Sequence, residues 1–337
     1  MFHSSLRLTV AALALTTALP AFADEVNVYS HRQPELIQPL VDAFTAETGI
    51  AVNVAFVDKG MAERLQAEGD RSPADVVLTV DIARLMQIVD AGVTQAVQSD
   101  VLDANIPETL RDPADHWFGL TARARIVYAA KDRVADGEVT TYEDLASDKW
   151  KGRICTRSGL NDYNVALLGA YIGHHGEEAA QTWAQGLKAN LARKPDGGDR
   201  DQVKAIAAGE CDISIGNTYY MGQMLKDPEQ KPWADAVRIV FPTFENGGTH
   251  LNVSGVALTK SAPNKEAAIK FMEWLSSDAA QQIYAETNNE FPVKPGVPAS
   301  ELVTSWGSFT ADALPLADVA KHRAAALKIM ETVDYDG

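Results

Sequence analysis

The chain has 337 residues, of which 46% are hydrophobic, and its formal net charge at pH 7 is −16. An acidity of this size argues against nucleic acid or an anionic membrane surface as a partner. The chain is also too long for one compact core, so two lobes are expected.

Residues 1–23 predict an export signal. Arg7 gives a basic start, residues 8–19 form an apolar run, and Ala21-Phe22-Ala23 is a small-x-small cleavage site. The apolar run is too short to span a bilayer, and no later run reaches the ~20 apolar residues that spanning needs. No Cys follows the cleavage site to carry a lipid anchor. We therefore expect a soluble periplasmic chain that starts near Asp24, without membrane insertion.

The rest of the chain alternates strand and helix patterns. Strands are predicted at residues 26–29, 52–56 and 75–79, and helices at residues 34–48, 61–67 and 82–91. This alternation indicates right-handed crossovers and a mainly parallel sheet, in which ligands lie beyond the carboxyl ends of the strands. Residues 30–33 and 79–81 occupy those ends.

Two long extended runs, at residues 120–128 and 252–258, predict strands that cross twice between two lobes and form a hinge. Further helices are predicted at residues 142–146, 178–191, 201–208, 264–277, 278–286 and 314–333. The sequence therefore predicts an α/β protein with two lobes. The predicted lobes are residues 24–122 with 250–298, and residues 123–249 with 299–337.

The two cysteines, Cys155 and Cys211, form an even pair in an exported chain, which favours a disulfide over free thiols. The bond would hold the segment of Tyr163 beside the strand that precedes Tyr219. On the chain-entropy model it would contribute roughly 4 kcal/mol. A metal role for the thiols is the alternative, but no His or Cys stands at zinc-ligand spacing.

Motifs for enzymatic chemistry are absent from the sequence. There is no G-x-x-x-x-G-K-[ST] and no G-x-G-x-x-G after a strand. The hydrolase elbow G-x-S-x-G and the zincin motif H-E-x-x-H are also missing. Because no nucleophile, base and orienting group assemble, an enzyme is not expected.

Two adjacent tyrosines, Tyr219 and Tyr220, stand where a short strand ends and a helix begins. Neighbours on a strand point to opposite faces, but at a helix start they diverge by about 100° and can converge on one target. Thr218 or Asn217 is a suitable N-cap, which puts both phenols on the first turn, where unpaired N–H groups favour anions. The alternative is that one tyrosine packs in a core and the other lies on the surface.

Tyr163 stands at a second strand-to-helix junction, in the same predicted lobe. Three phenols at the ligand-binding edge predict a site for a cation that prefers anionic oxygen. Ferric iron fits, because its Lewis acidity can displace a phenol proton whose unperturbed pKa is ~10. Softer divalent ions would recruit imidazole or thiolate instead. Ordinary packing of the Tyr163 ring is the alternative.

Five segments carry a family resemblance: Val28-Tyr29-Ser30-His31-Arg32-Gln33-Pro34, Ser72-Pro73-Ala74-Asp75-Val76, Gly119-Leu120-Thr121-Ala122-Arg123-Ala124-Arg125, residues 158–164, and Gly216-Asn217-Thr218-Tyr219-Tyr220. In this order they resemble the periplasmic ferric-ion-binding proteins of ABC iron importers, over the chain from Val26 to the C-terminus. The resemblance implies a transferrin-like, two-lobed periplasmic binding protein fold. Each lobe would be a mixed sheet flanked by helices, with a hinge of two crossing strands and iron held in the cleft.

The resemblance also implies the ligands of the ferric ion. The positions that match the family's tyrosine doublet and its third tyrosine are Tyr219, Tyr220 and Tyr163. Some relatives add ligands from the first lobe, a His and a Glu or a His–Tyr pair. The corresponding positions hold no obvious iron ligand here; they are Gln33, Pro34 and Val80. Three phenolates balance the ferric charge but leave an octahedral site half empty.

In the similar branch of the family a bidentate synergistic anion, typically carbonate, fills the remaining positions. Arg32, at a strand end that faces the cleft, is the expected anchor of carbonate or bicarbonate. Arg123 or Arg125 could contact the anion or lower a tyrosine pKa, and strand alternation leaves the choice open. Gln33 is a further candidate contact. Asp81 and His31 are secondary candidates, expected to have local structural roles.

We therefore expect a monomeric periplasmic solute-binding protein that captures Fe³⁺ and delivers it to an inner-membrane ABC permease. An alternative is a receptor for a small organic or oxyanion ligand, with the tyrosines as stacking walls and Arg32 as its anchor. A periplasmic hydrolase is the alternative from another class, and it would need a serine–base pair that the sequence does not show.

Overall fold

The structure is a computed structural model that describes residues 24–337, so the predicted export signal lies outside the described residues. Its strands are β1 (Glu25–Ser30), β2 (Ala51–Phe56), β3 (Val76–Thr79), β4 (Thr94–Gln95), β5 (Phe118–Ala130), β6 (Ile154–Cys155), β7 (Ile213–Asn217), β8 (Val237–Val240), β9 (Leu251–Thr259) and β10 (Phe291–Pro292). No helix within this part of the chain is long and apolar enough to cross a membrane.

The helices follow the strands in alternation over much of the chain. They are α1 (Pro34–Thr48), α2 (Met61–Glu68), α3 (Ile82–Asp90), α4 (Asp100–Asn105), α5 (Asp162–Ala189), α6 (Asp199–Ala207), α7 (Tyr219–Lys226), α8 (Lys231–Asp235), α9 (Lys265–Leu275), α10 (Asp278–Asn288), α11 (Glu301–Thr304), α12 (Leu316–Lys321) and α13 (Arg323–Thr332). In α1 the buried side chains recur at helical spacing, and Gly49 ends the helix in the left-handed conformation.

One sheet contains both parallel and antiparallel strands. Its order is β2-β1-β3-β9-β5, with β1 parallel to β2 and β3, and with β9 antiparallel to β3 and β5. The carboxyl ends of β1 and β3 therefore meet at one edge of the sheet, where residues 31–33 and 80–81 follow them. This is the edge that the alternation of strands and helices predicted.

The long strand β5 belongs to two sheets. Residues Phe118–Ala124 pair with β9, and Arg125–Ala129 pair with β7 in the second sheet, which β6 extends in parallel. The protein is thus a two-lobed α/β fold with long strands running between the lobes, as the sequence predicted. The residue boundaries of the lobes stay a prediction.

Three predicted helices differ in detail from the observed ones. The segment 178–191 is the second half of α5, which is kinked at Gly176, where φ is 80°. The segment 142–146 is a 3₁₀ turn, and the segment 314–333 breaks at His322 into α12 and α13. Local breaks of this kind leave hydrophobic periodicity almost unchanged, so the pattern could not locate them.

Cys155 and Cys211 form a disulfide, as predicted, with their Cα atoms 5.8 Å apart. Cys155 ends β6, and Cys211 lies two residues before the start of β7, the neighbouring parallel strand. The bond therefore reinforces the pairing of the two strands that lead to the helices α5 and α7.

Candidate metal and anion site

A cavity of 280 Å³ lies at the edge where strands of both sheets end. The side chains predicted for the site all line it: Tyr163, Tyr219, Tyr220, Arg32, Arg123 and Gln33. His31 and Val80 line it as well. Residues far apart in sequence thus share one cavity.

The tyrosine doublet begins helix α7 and Thr218 occupies its N-cap position, both as predicted, but the Thr218 hydroxyl does not cap the helix. Neither Thr218 nor Asn217 caps the helix with its side chain. Instead the Thr218 hydroxyl accepts a hydrogen bond from the N–H of Ala124 at 3.3 Å, and Asn217 Oδ1 accepts one from Arg125 Nη1 at 3.1 Å. The predicted N-cap position is therefore confirmed, but the side-chain cap is absent because both side chains turn towards β5, which ties the start of α7 to the crossing strand.

A glycine before the doublet makes room for a buried tyrosine. A Cβ on Gly216 would lie 2.3 Å from a ring carbon of Tyr128, so this position of β7 accepts only glycine without displacing the ring. The Tyr128 hydroxyl donates to the carbonyl of Asn217 at 2.6 Å. The ring and its hydrogen bond therefore fix the last residue of β7, two positions before the first of the phenols that line the cavity.

Tyr163 is the second residue of α5, and its N–H donates to the cap residue Asn161 at 3.1 Å. The end of the chain holds the preceding loop. The Thr156 hydroxyl and the Tyr335 phenol lie 3.0 Å apart, and the N–H of Gly159 donates to Asp336 at 2.8 Å. The position of Tyr163 thus depends on C-terminal residues that its local sequence does not reveal.

The phenols lie close together. The hydroxyl oxygens of Tyr163 and Tyr219 are 3.5 Å apart, and the ring centres of Tyr219 and Tyr220 are 4.2 Å apart. Burial raises the pKa of both Tyr163 and Tyr219, and the neighbouring phenol of Tyr220 adds to the rise in both. Arg123 lowers these pKa values, but less strongly. The expectation that Arg123 lowers a tyrosine pKa is therefore confirmed in direction, but burial outweighs its effect, so a bound cation would have to displace the phenol protons.

Two arginines lie beside the Tyr163 ring, of which Arg125 is buried and Arg157 is partly buried. The guanidinium carbons of Arg125 and Arg157 lie 5.8 and 5.3 Å from the centre of its ring. Both arginines bind Asp199, whose Oδ2 accepts from Arg125 Nη1 at 2.6 Å and whose Oδ1 accepts from Arg157 Nη1 at 3.3 Å. The N–H of Asn217 also donates to Asp199 Oδ2, at 2.9 Å. This buried network joins α6, β5 and β7 beneath the tyrosines.

Arg32 and Arg123 share one buried carboxylate, that of Glu290. Glu290 Oε1 accepts from Arg123 Nη2 at 2.6 Å, and Oε2 lies 3.1 Å from Arg32 Nη2. Both Nη2 atoms also donate to the hydroxyl of Ser254. Burial alone would raise the pKa of Glu290, but the charges of the two arginines outweigh it and hold the pKa below its usual range.

The two arginines differ in the donors that they leave for a ligand. Within residues 24–337 the side-chain hydrogen bonds of Arg32 all use Nη2, so Nε and Nη1 remain for a ligand. Arg123 also uses Nη1, which donates to the carbonyl of Val80 at 2.8 Å. Arg125 is bound to Asp199 and is not among the residues that line the cavity. The geometry therefore favours Arg32 as an anion anchor and Arg123 as its neighbour in support.

The secondary candidates have different surroundings. Asp81 caps α3, since its Oδ1 accepts from the N–H of Arg84 at 2.8 Å, and burial, followed by Asp162, raises its pKa to about 6. His31 lines the cavity, and burial, followed by the charge of Arg84, lowers its pKa to about 4. Arg84 also lies 3.7 Å from Asp162, the residue before Tyr163.

Sequence reasoning did not find Glu290, Asp199 or Arg157. Glu290 follows α10 in a turn in which Asn289 has a φ of 55°. An available signal was that buried arginines need carboxylates as partners, but the pattern of the sequence does not say which acidic residue supplies them.

A cavity between two α/β lobes, with long strands running between the lobes and with phenols and arginines converging on it, defines a two-lobed solute-binding protein. The chain belongs to the family described as bacterial extracellular solute-binding protein, whose profile matches residues 30–282. The family and the relatives described next are binding proteins, not enzymes, which agrees with the sequence-based expectation.

The chain is 46% identical to iron uptake protein A1 of Synechocystis over 322 residues, which cover 94% of this chain and 89% of the relative. It is similar to the structure of Mannheimia haemolytica ferric iron-binding protein A in an open conformation, with a TM-score of 0.90, 53% identity, and coverage of 94% of this chain and 100% of that one. A Trichodesmium protein in complex with iron and citrate ligands gives a TM-score of 0.89 and 43% identity, covering 92% and 99%. The resemblance stated from the sequence is confirmed.

Proposed function

We propose that this protein is a periplasmic receptor that captures ferric iron and delivers it to an ABC permease of the inner membrane. The observation that carries the proposal is the convergence of Tyr163, Tyr219 and Tyr220, from two helix starts, on one cavity that Arg32 also lines. The names of relatives support it, since they include an iron uptake protein and a ferric iron-binding protein.

In the proposed complex the three phenols bind Fe³⁺ as phenolates. The three negative charges neutralise the ferric ion. This neutralisation offsets the desolvation cost of placing charges in a site where Tyr163 and Tyr219 are largely buried. Burial raises the pKa of both phenols, so they hold their protons at neutral pH until a strong Lewis acid displaces them. A weaker divalent cation gains less from phenol oxygen, which favours ferric iron over such ions.

A bidentate anion would complete the coordination sphere. Arg32 is the proposed anchor, because its Nε and Nη1 remain free for a ligand and because Ser254 and Glu290 fix its guanidinium. Arg123 holds the same carboxylate from the other side, and Gln33 lines the same cavity. Carbonate or bicarbonate is the proposed anion. Because the Trichodesmium complex contains citrate, citrate is the alternative anion to compare with bicarbonate.

The lobes would close on the ion. In the proposed division, residues 24–122 with 250–298 form one lobe and residues 123–249 with 299–337 form the other. The cavity is then lined by Arg32 and Gln33 from the first lobe and by the three tyrosines from the second. Closure about the strands β5 and β9 would bury the ion and present a joint surface to the permease, with the protein acting as a monomer.

A visible titration tests the proposal. The mature protein is titrated with chelated ferric iron, with and without bicarbonate, and phenolate-to-iron charge transfer should give a broad visible band that saturates at one ion per chain. Bicarbonate should strengthen the complex in the native protein but not in the Arg32→Gln variant. Tyr171→Phe is the control, because the Tyr171 ring stacks on Trp183 at 4.8 Å and does not line the cavity. A colourless native protein in both conditions would favour a receptor for a small organic or oxyanion ligand.

A further inference from the structure

The carboxylate of Glu290 is buried among cationic and polar groups at the cavity. Only 3% of the residue is exposed, and its Oε2 accepts a hydrogen bond from the Thr121 hydroxyl at 3.0 Å in addition to its contacts with Arg32 and Arg123. These partners come from the end of β1 and from β5, so three distant parts of the chain meet at one carboxylate. The arrangement is a built ion cluster within the cavity wall.

The cluster has a defined charge. Two guanidinium groups and one carboxylate carry a net charge of about +1, because arginine stays protonated and the pKa of Glu290 is held low. Glu290 also occupies Nη2 of Arg32, which an incoming anion would otherwise contact. An anion that binds the remaining Nε and Nη1 therefore shares Arg32 with an internal carboxylate.

Building on the proposed function, we infer that Glu290 determines which anions the site accepts. A singly charged anion neutralises the cluster of Arg32, Arg123 and Glu290. An anion with two or three charges leaves negative charge uncompensated in a partly desolvated site and faces repulsion from the Glu290 carboxylate. The residue thus selects small anions of low charge, such as bicarbonate, against phosphate and tricarboxylates.

The charge, rather than the shape, of Glu290 is the property to change. Glu290→Gln keeps the length of the side chain and one carbonyl acceptor but raises the cluster's charge by one. Glu290→Asp keeps the charge and shortens the side chain. Glu286→Gln is the matched control, because Glu286 is an exposed residue of α10 on the same segment.

The experiment measures anion binding in two ways. Calorimetry with bicarbonate, phosphate and citrate is run on iron-free protein, and the same anions are then compared in the visible ferric titration. In Glu290→Gln the affinity for citrate or phosphate relative to bicarbonate should rise about tenfold or more, while Glu290→Asp and Glu286→Gln should keep the native ranking. Thermal melting of each variant verifies that it is folded.

The outcomes separate the role of Glu290 from the ferric function. If Glu290→Gln weakens binding of all three anions by the same factor, Glu290 only holds the arginines in place and the inference is wrong. An unchanged ranking would also overturn it. If the native protein stays colourless with iron, the ferric function fails, but the calorimetric ranking still decides the role of Glu290. Should Glu290→Gln not fold, Arg123→Gln takes its place, because it lowers the cluster's charge by one and should shift the ranking in the opposite direction, further towards bicarbonate.

Discussion

The hydroxyl oxygens of Tyr163 and Tyr219 lie 3.5 Å apart, although the two residues are separated by 56 positions in the sequence. This distance is longer than that of a strong O–H···O hydrogen bond, so the contact alone does not explain why both phenols point to one place. If both lost their protons, two negative charges would repel each other at this separation. A cation between them turns that repulsion into attraction.

Replacing either tyrosine should therefore weaken ferric binding without harming the fold. We expect Tyr163→Phe and Tyr219→Phe each to lower the apparent ferric affinity by more than about 100-fold, because changes even outside the ligands of metal sites cost 10–100-fold. The visible band should weaken and shift. In the double variant the fold-loss of ferric affinity should be smaller than the product of the two single fold-losses, because both residues bind the same ion. Competition with a ferric chelator measures the affinities, and unchanged affinity in either single variant would contradict its role as a ligand.

Much of the scaffold could be predicted from periodicity, whereas the ion clusters could not. Helix α1 follows from apolar residues at helical spacing, and the doublet of Tyr219 and Tyr220 is visible at a strand end. The pairing of Arg123 with Glu290 spans 167 positions, and that of Arg125 with Asp199 spans 74. Periodicity reports which face of an element is buried, but it does not report which distant charge meets that face.

The carboxylate of Asp199 should be important for stability. Its side chain is fully buried and binds both Arg125 and Arg157. Asp199→Asn leaves two guanidinium groups without their counter-charge, and breaking a buried pair in this way costs about 3–5 kcal/mol. Urea denaturation of the iron-free protein measures the free energy of unfolding.

Asp201→Asn, in the same helix, is the control. It changes a carboxylate that accepts a hydrogen bond from the N–H of Gly198 and should lower the free energy of unfolding by about 1 kcal/mol. Equal losses in the two variants would contradict a special role for the buried network.

The disulfide should stabilise the lobe that carries the tyrosines. Cys155 and Cys211 are 56 residues apart, and closing a loop of this length restricts the unfolded chain by about 4 kcal/mol. We expect the double variant Cys155→Ala, Cys211→Ala to unfold at lower urea concentration than the native protein. Adding a thiol reductant should lower the midpoint of the native protein towards that of the variant and leave the variant unaffected. Coincident midpoints before reduction would show that the bond contributes little.

His250 should make the fold sensitive to acid. Burial lowers its pKa to about 4, Asp312 opposes this shift, and the charges of Arg125 and His174 add to it. The unfolded chain, with a His pKa near 6.5, then binds more protons than the folded chain between pH 6.5 and 4. Stability is therefore full above that window and falls as the pH drops through it, by up to about 3 kcal/mol from this residue.

The variant His250→Leu isolates this contribution. His250 lines a cavity together with apolar residues, among them Leu314 and Leu316. Its Nε2 has no hydrogen-bond partner within residues 24–337, so leucine removes the titratable ring without breaking a hydrogen bond at that atom. Between pH 6.5 and 4 the free energy of unfolding of the variant should fall less than that of the native protein. Parallel urea titrations at several pH values measure the difference, and identical slopes would rule out His250 as the source.

A single glycine of α7 should control how closely the tyrosine helix approaches the segment of Glu290. A Cβ on Gly222 would lie 2.5 Å from Cγ of Asn289, the residue before Glu290. Gly222→Ala favours the helix by about 1 kcal/mol, so the fold should tolerate it, but α7 and Asn289 must move apart. We expect a loss of ferric affinity of about tenfold but only a small fall in melting temperature, because the gain in helix propensity offsets part of the cost of the added contact. Lys226→Ala, an exposed change in the same helix, should have no such effect. Adding Asn289→Gly to Gly222→Ala removes the obstructing side chain and retains the positive φ, so it should restore binding; failure of this rescue would show that steric contact is not the cause.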